Sequence, residues 1–271
     1  MLKDITVGQY YPSGSVVHKL DPRLKILALI ATIVFIFIAK SPLAVTFTVL
    51  SVISFMIATK VPVKVYFKNL KSILPVILLT AVLNMLYATG GKTLVHFWTI
   101  TITTGSVSRA VLMAVRIMLL IMISAMLTYT TTPTFLTDGI EKLLSFLKVV
   151  GLGGAVHTMA MMMTIALRFI PTLIDETDKL MNAQRARGAN FDTGSLFSRV
   201  RALIPILIPL LISAVRRAFD LSEAMESRCY TGDNKRTRMK QLKFCKRDLI
   251  AAILLVVIYS GIIVLNYISL F

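Results

Sequence analysis

Between Leu249 and Leu270 no residue carries a charge. A helix that crosses a bilayer needs about 20 mainly apolar residues, and lipid offers its backbone no hydrogen-bond partners, so such a run is helical. Four further runs repeat the pattern: Leu24–Ala39, Pro42–Thr59, Ile73–Ala88 and Val107–Tyr129. Only Lys40 and Ser41 part the first two, which predicts a tight hairpin or a pair of short helices in a thinned bilayer. Pro75 falls near the start of the third run, where proline is tolerated. The fourth carries Arg109 and Arg116. Gly90 and Gly91 mark a turn, and Thr99–Thr104 is a β-branched patch too short to span. The fold class expected is all-α, a polytopic integral membrane protein.

Composition agrees. Of 271 residues 56% are hydrophobic and only 16% charged, with a mean hydropathy of +0.78. A soluble domain of this length needs more charge to wet its surface. The formal charge of +17 raises the question of nucleic acid, but the cations avoid the apolar runs and gather on one side of them, as topology signals do. No nucleic-acid partner is expected. Cys229 and Cys245 both lie in a basic stretch and suggest no disulfide framework. Asp4, Asp21 and Pro22 ahead of the first run make a cleavable signal unexpected.

Counting cations orients the chain. Segment 60–71 has Lys60, Lys64, Lys68 and Lys71 and no acid. Segment 40–41 has Lys40 alone, and 89–106 has Lys92 besides no other lysine. The long segment 133–247 holds 18 Lys and Arg against 10 Asp and Glu. Five spans then put the N-terminus and both basic segments in the cytoplasm and the C-terminus outside. The expected domains are residues 1–132, a membrane domain with spans at 24–39, 42–59, 73–88 and 107–129; residues 133–247, cytoplasmic helices; and residues 248–271, the last span.

Within 133–247, Gly154–Ile174 is apolar enough for a sixth span. It contains His157 and Arg168, however, and runs without a break into Asp175, Glu176, Asp178 and Lys179. It reads as one long helix over 155–187. A second long helix is expected at about 195–229, bent at Pro205 and Pro209, which each remove a backbone donor. Asp138 and Glu141, three apart, read as a capping-box-like start for a short helix over Ile140–Val149.

No catalytic constellation emerges. Gly91-Lys92-Thr93 resembles the end of a phosphate-binding loop, but the position that needs glycine is Leu86. His18, His96 and His157 have no partner at ligand spacing, so no metal site is expected. There is no nucleophile elbow and no dinucleotide loop. The chain is not expected to be an enzyme or to bind a cofactor.

What stands out is a near-duplication. Ala183 to Arg187 and Gly188 end the first long helix, and Ala224 to Arg228 and Cys229 end the second. In each, an alanine lies four residues before an arginine, on the same helical face. The small residue admits a close surface and the arginine offers a planar charged fork. Gly188 can take the left-handed conformation that stops a helix. Spacing alone leaves a second reading open, two helix ends whose arginines simply favour the dipole.

Taken in order, several stretches resemble the transmembrane T component of energy-coupling factor (ECF) transporters. These are Leu20-Asp21-Pro22-Arg23-Leu24-Lys25, then Thr131-Thr132-Pro133 with the leucine-rich segment after it, then Ala166-Leu167-Arg168-Phe169-Ile170-Pro171. Ala186-Arg187-Gly188 fits the family's paired motif fully, while Ser227-Arg228-Cys229 keeps only its arginine. The resemblance covers nearly the whole chain. It implies that the two long helices form a crossed cytoplasmic scaffold whose arginine-bearing ends, Ala186, Arg187, Gly188 and Ser227, Arg228, Cys229, sit in grooves on two ABC-type ATPase subunits. It implies a separate substrate-binding membrane protein, the S component, on the scaffold's apolar face, and a vitamin or micronutrient as cargo. ATP and Mg would be used by the ATPases, not by this chain, in a bacterial cell membrane.

Methionine adds a reading from the residues alone. Met159, Met161, Met162 and Met163 crowd one stretch of the first long helix, and Met113, Met118, Met122 and Met126 recur along the fourth span. Thioethers repack easily and suit a surface with more than one partner, or they fill gaps in a core. The first group is the candidate S-component contact. A self-sufficient secondary transporter is the rival reading, but it should carry paired acids within its spans, and these spans carry none. A membrane-anchored scaffold unrelated to ATPases is the other.

Overall fold

The computed structural model describes residues 10–87, 90, 93–97, 100–146, 151, 153–189, 191, 195–232, 242 and 244–268. After a 3-10 turn at Val17–Lys19, the helices are α1 (Pro22–Ile38), α2 (Pro42–Thr59), α3 (Val63–Tyr87), α4 (Thr104–Thr130), α5 (Pro133–Leu143), α6 (Gly153–Ala186), α7 (Leu196–Glu226) and α8 (Lys246–Ile268). Strands β1 (Thr93–Phe97) and β2 (Ile100–Thr103) form an antiparallel hairpin between α3 and α4. Six helices are long and apolar enough to cross a membrane: α2, α3, α4, α6, α7 and α8. The chain is therefore an all-helical, multi-pass membrane protein with one small hairpin among its described residues. It divides into two compact units, Ile140–Gln241 and Gly8–Gly139 with Leu242–Phe271.

In the second of these units, α1, α2, α4 and α8 pack through small residues and short polar links. Ala44, Thr48 and Val52 make a fully buried stripe on α2 at i, i+4 and i+8. Small side chains let helices approach closely where lipid supplies no hydrophobic drive between them. Val52 joins Ile36 of α1 and Leu119 and Ile123 of α4 in one core, with Met122 and Met126 packed against it. Ala39, Ala44 and Ile262 make another core where α1 ends and α8 approaches its own end. Around Thr59, Tyr66 and Tyr129 meet edge to face at 5.3 Å between ring centroids.

Polar groups in the spans are matched to backbone left open at helix ends. Arg116, inside α4, donates to Ala39 O at 3.1 Å and lies over the Phe37 ring. It supplies a cation where the last carbonyls of α1 have no partner of their own. Asn266 Oδ1 of α8 accepts the N–H groups of both Lys40 and Ser41 at 3.2 Å, closing the α1–α2 hairpin. At the opposite end, Asp248 is 4% exposed and binds two backbones at once. Its Oδ2 accepts the Cys245 N–H that starts α8, and its Oδ1 accepts the Asp21 N–H that starts α1, each at 2.8 Å.

Two sequence expectations are corrected. The helix that holds the third apolar run begins at Val63, ten residues before Ile73, which puts Pro75 well inside it rather than near its start. Lys64, Lys68 and Lys71 break the apolar run, yet they recur at helical spacing and are exposed together. The short helix does not begin at Asp138. Thr132-Pro133 starts α5, with Leu136 N–H donating to Thr132 O, and proline is at home in the first turn. Glu141 is inside that helix, and residues 147–149 of the expected segment lie outside the described residues. The β-branched patch stays too short to span, as expected: β2 takes up Ile100–Thr103, and the side chains of Thr103 and Ser106 cap α4 reciprocally.

In the unit Ile140–Gln241, α6 and α7 pack together, and Arg217 of α7 pairs with Glu176 of α6 at 2.5 Å. Both helices run through their prolines, Pro171 in α6 and Pro205 and Pro209 in α7. His157 near the start of α6 pairs with Glu141 at 3.2 Å.

Candidate functional site

The two arginine-bearing segments end their helices in the same way, bond for bond. After α6, Gly188 N–H donates to Arg185 O at 2.9 Å and Ala189 N–H to Gln184 O at 3.0 Å. After α7, Cys229 N–H donates to Glu226 O at 2.8 Å and Tyr230 N–H to Met225 O at 3.0 Å. This crossed pair of bonds is the Schellman ending, which satisfies carbonyls the last turn leaves open. It requires one residue in the left-handed region: Gly188 has φ +88° and Cys229 has φ +55°. Arg187 and Arg228 therefore occupy the same position, the last before the left-handed residue. Both are exposed, and neither makes an ion pair among the described residues. Ala186 and Ser227, which precede them, are exposed as well. Chemically the arrangement presents a guanidinium fork with five donors at each of two helix ends, backed by small neighbours.

The methionines divide as the sequence left open. Met122 and Met126 of α4 are core-packed. On α6, Met159, Met162 and Met163 are 70%, 60% and 52% exposed, with Met161 half-buried between them. A feature the sequence reading missed lies on α7. Phe197, Val200, Ile204, Leu207, Leu211 and Val215 are all exposed, and their spacing of three and four makes one continuous apolar face. The signal was present in that spacing but was masked by the two prolines.

The rejected chemistry stays apart. His18 sits in the 3-10 turn before α1, with Ser15 Oγ at 2.7 Å and Tyr11 O at 2.8 Å from its ring nitrogens. Gly91 and Lys92 and the side chain of His96 lie outside the described residues. No group of three metal-binding side chains converges among the described residues.

The CbiQ family model, described as cobalt transport protein, matches residues 13–239. The energy-coupling factor transporter transmembrane protein EcfT of Ruminiclostridium cellulolyticum is 45% identical over 273 residues, covering 99% of each chain. The protein of the same name from Clostridium kluyveri is 47% identical over 93% of each chain. The chain belongs to the EcfT family of energy-coupling factor transporter transmembrane components. EcfT of Lactococcus lactis subsp. cremoris, at 39% identity over 99% of this chain and 100% of its own length, extends the match end to end. As a T component the chain is a non-catalytic, multi-pass subunit of a transporter. The EcfT relatives are the length of this chain, so both matched helix endings fall within the similarity.

Proposed function

We propose that this T component couples two ABC-type ATPase subunits to a substrate-binding S component in the uptake of a vitamin or other micronutrient. The matched endings of α6 and α7 carry the proposal. Arg187 and Arg228, with Ala186, Gly188, Ser227 and Cys229 around them, dock one ATPase subunit each. Two copies of one ATPase, or two related ones, offer equivalent grooves, and a pair of equivalent helix ends is the complementary shape. Exposure of both guanidinium groups without an internal acid supports the reading, since a carboxylate in each groove would complete them. ATP and Mg are used by those ATPases. The apolar face of α7 and the exposed Met159, Met162 and Met163 of α6, with half-buried Met161 between them, offer the S component its surface. The Lys and Arg asymmetry supports an orientation with the N-terminus, α6 and α7 on the cytoplasmic side of a bacterial cell membrane and the C-terminus outside.

The test is exchange of charge at each ending. Losing one member of a buried interfacial ion pair costs about 2–5 kcal/mol, part of it the stranded partner's desolvation. Arg187→Glu and Arg228→Glu should each strip ATPase from the purified complex and halt ATP-driven uptake, with alanine milder at both. Substrate binding by the S component should persist. Full ATPase retention and normal uptake in both glutamate variants would refute the docking role.

A further inference from the structure

We propose that the open cleft between α1, α2, α4 and α8 is a binding site for an anionic phospholipid, with one acyl chain in the cleft and the phosphate met by Arg247. The cleft has a volume of about 370 Å³. It arises because the helices converge at the Ala39, Ala44 and Ile262 core and part toward the end where α1 and α8 begin. Its wall follows α8 from Arg247 to Ile258, eleven steps along the helix, or about 16 Å at 1.5 Å per residue. One leaflet of a bilayer's hydrocarbon is about 15 Å deep, half of its thickness of roughly 30 Å. The length therefore suits one acyl chain lying along the helices.

The chemistry of the wall selects the same occupant. It is almost wholly apolar, and its hydroxyls are turned back onto their own helices: Thr32 to Ala28 O, Ser54 to Leu50 O and Thr130 to Met126 O. Nothing there invites water or a sugar. Charge is confined to one end. Lys25 lines the cleft, only 9% exposed, with its ammonium on His18 O, Thr130 O and Thr131 Oγ1 and no carboxylate within ion-pair distance among the described residues. Asp21 and Asp248 are nearby, but both accept backbone N–H groups. Arg23, Lys25, Lys246 and Arg247 thus outnumber the two acids at this end, and Arg247 is exposed there with no ion pair among the described residues. Lys25 has all its donors in use and acts through its field, while Arg247 supplies the contact. A basic mouth above an apolar slot between spans is the arrangement that retains an anionic headgroup.

The experiment uses the full-length chain in nanodiscs of equal phosphatidylglycerol and phosphatidylcholine, with retained lipid read by native mass spectrometry. The wild type should keep one phosphatidylglycerol per chain in about fivefold preference over phosphatidylcholine, the discrimination expected of one cation near the surface. Arg247→Gln should still keep a lipid but lose that preference. Ala251→Phe or Ala58→Phe, which fill the slot from different helices, should keep none. Retention of both lipids alike by the wild type, retention of neither, or an unchanged preference in Arg247→Gln would overturn the site. If both phenylalanine variants fail to fold, the Arg247→Gln ratio decides.

Discussion

Cys229 sits where its counterpart is glycine, and it holds the same left-handed backbone. A side chain in that region crowds the neighbouring carbonyl, at a cost of about 1 kcal/mol relative to glycine. Nothing lies within 4 Å of where a Cβ would project from Gly188, so a side chain there is opposed by the backbone conformation alone. Opposite substitutions should therefore have opposite effects. Cys229→Gly should stabilise the second ending by about 1 kcal/mol and Gly188→Ala should weaken the first by a similar amount. Thermal unfolding of the solubilised chain, or amide exchange at residues 225–230 and 184–189, reads both. A drop in stability for Cys229→Gly would mean that the cysteine side chain contributes more than its backbone costs. The arginines themselves were legible in the sequence because a four-residue interval is visible in any helix. The equivalence of Cys229 and Gly188 was not, because cysteine carries no conformational signature.

Among the elements, legibility followed how purely each one served the bilayer. Helices α1 and α2 cover the runs at 24–39 and 42–59 almost residue for residue, because apolar length alone defines them. The first ten residues of α3 were lost to sight because three lysines interrupt apolarity while preserving helical spacing. Helix α5 was misplaced because two acids three apart look like a cap wherever they occur, and the stronger start signal was Thr132-Pro133. On α6 the methionine group can be tested as an element-scale surface. Replacing Met159, Met161, Met162 and Met163 by leucine preserves apolarity and volume, so the helix should persist. If the group accepts several S components, uptake should fall unequally among their substrates, since leucine adapts less readily than methionine. Equal uptake of every substrate would return these four residues to ordinary lipid-facing packing.

At the scale of the whole molecule, length and apolarity do not separate α6 and α7 from the other candidate spans, and the proposed cytoplasmic placement of both rests on the distribution of cations. A labelling experiment tests that placement. In a chain with Cys229 and Cys245 replaced by serine, a cysteine at Gly90 should react with an impermeant reagent added outside intact cells, and one at Lys64, at Ala189 between α6 and α7, or at Gly232 should not. Reaction at Ala189 would carry α6 through the membrane, with α7 returning if Gly232 stays unreactive, and would end the five-span orientation. The hairpin seal by Asn266 has a further bearing, on how the protein is made. Helices α1 and α2 leave the ribosome first, yet the two amide donors at Lys40 and Ser41 wait for a side chain near the other end of the chain. The Asp21 amide likewise waits for Asp248. Until α8 inserts, those donors lie at the membrane with no protein acceptor, a condition that lipid tolerates poorly. A nascent or truncated chain thus carries a built-in mark of incompleteness, which arrival of the last helix erases.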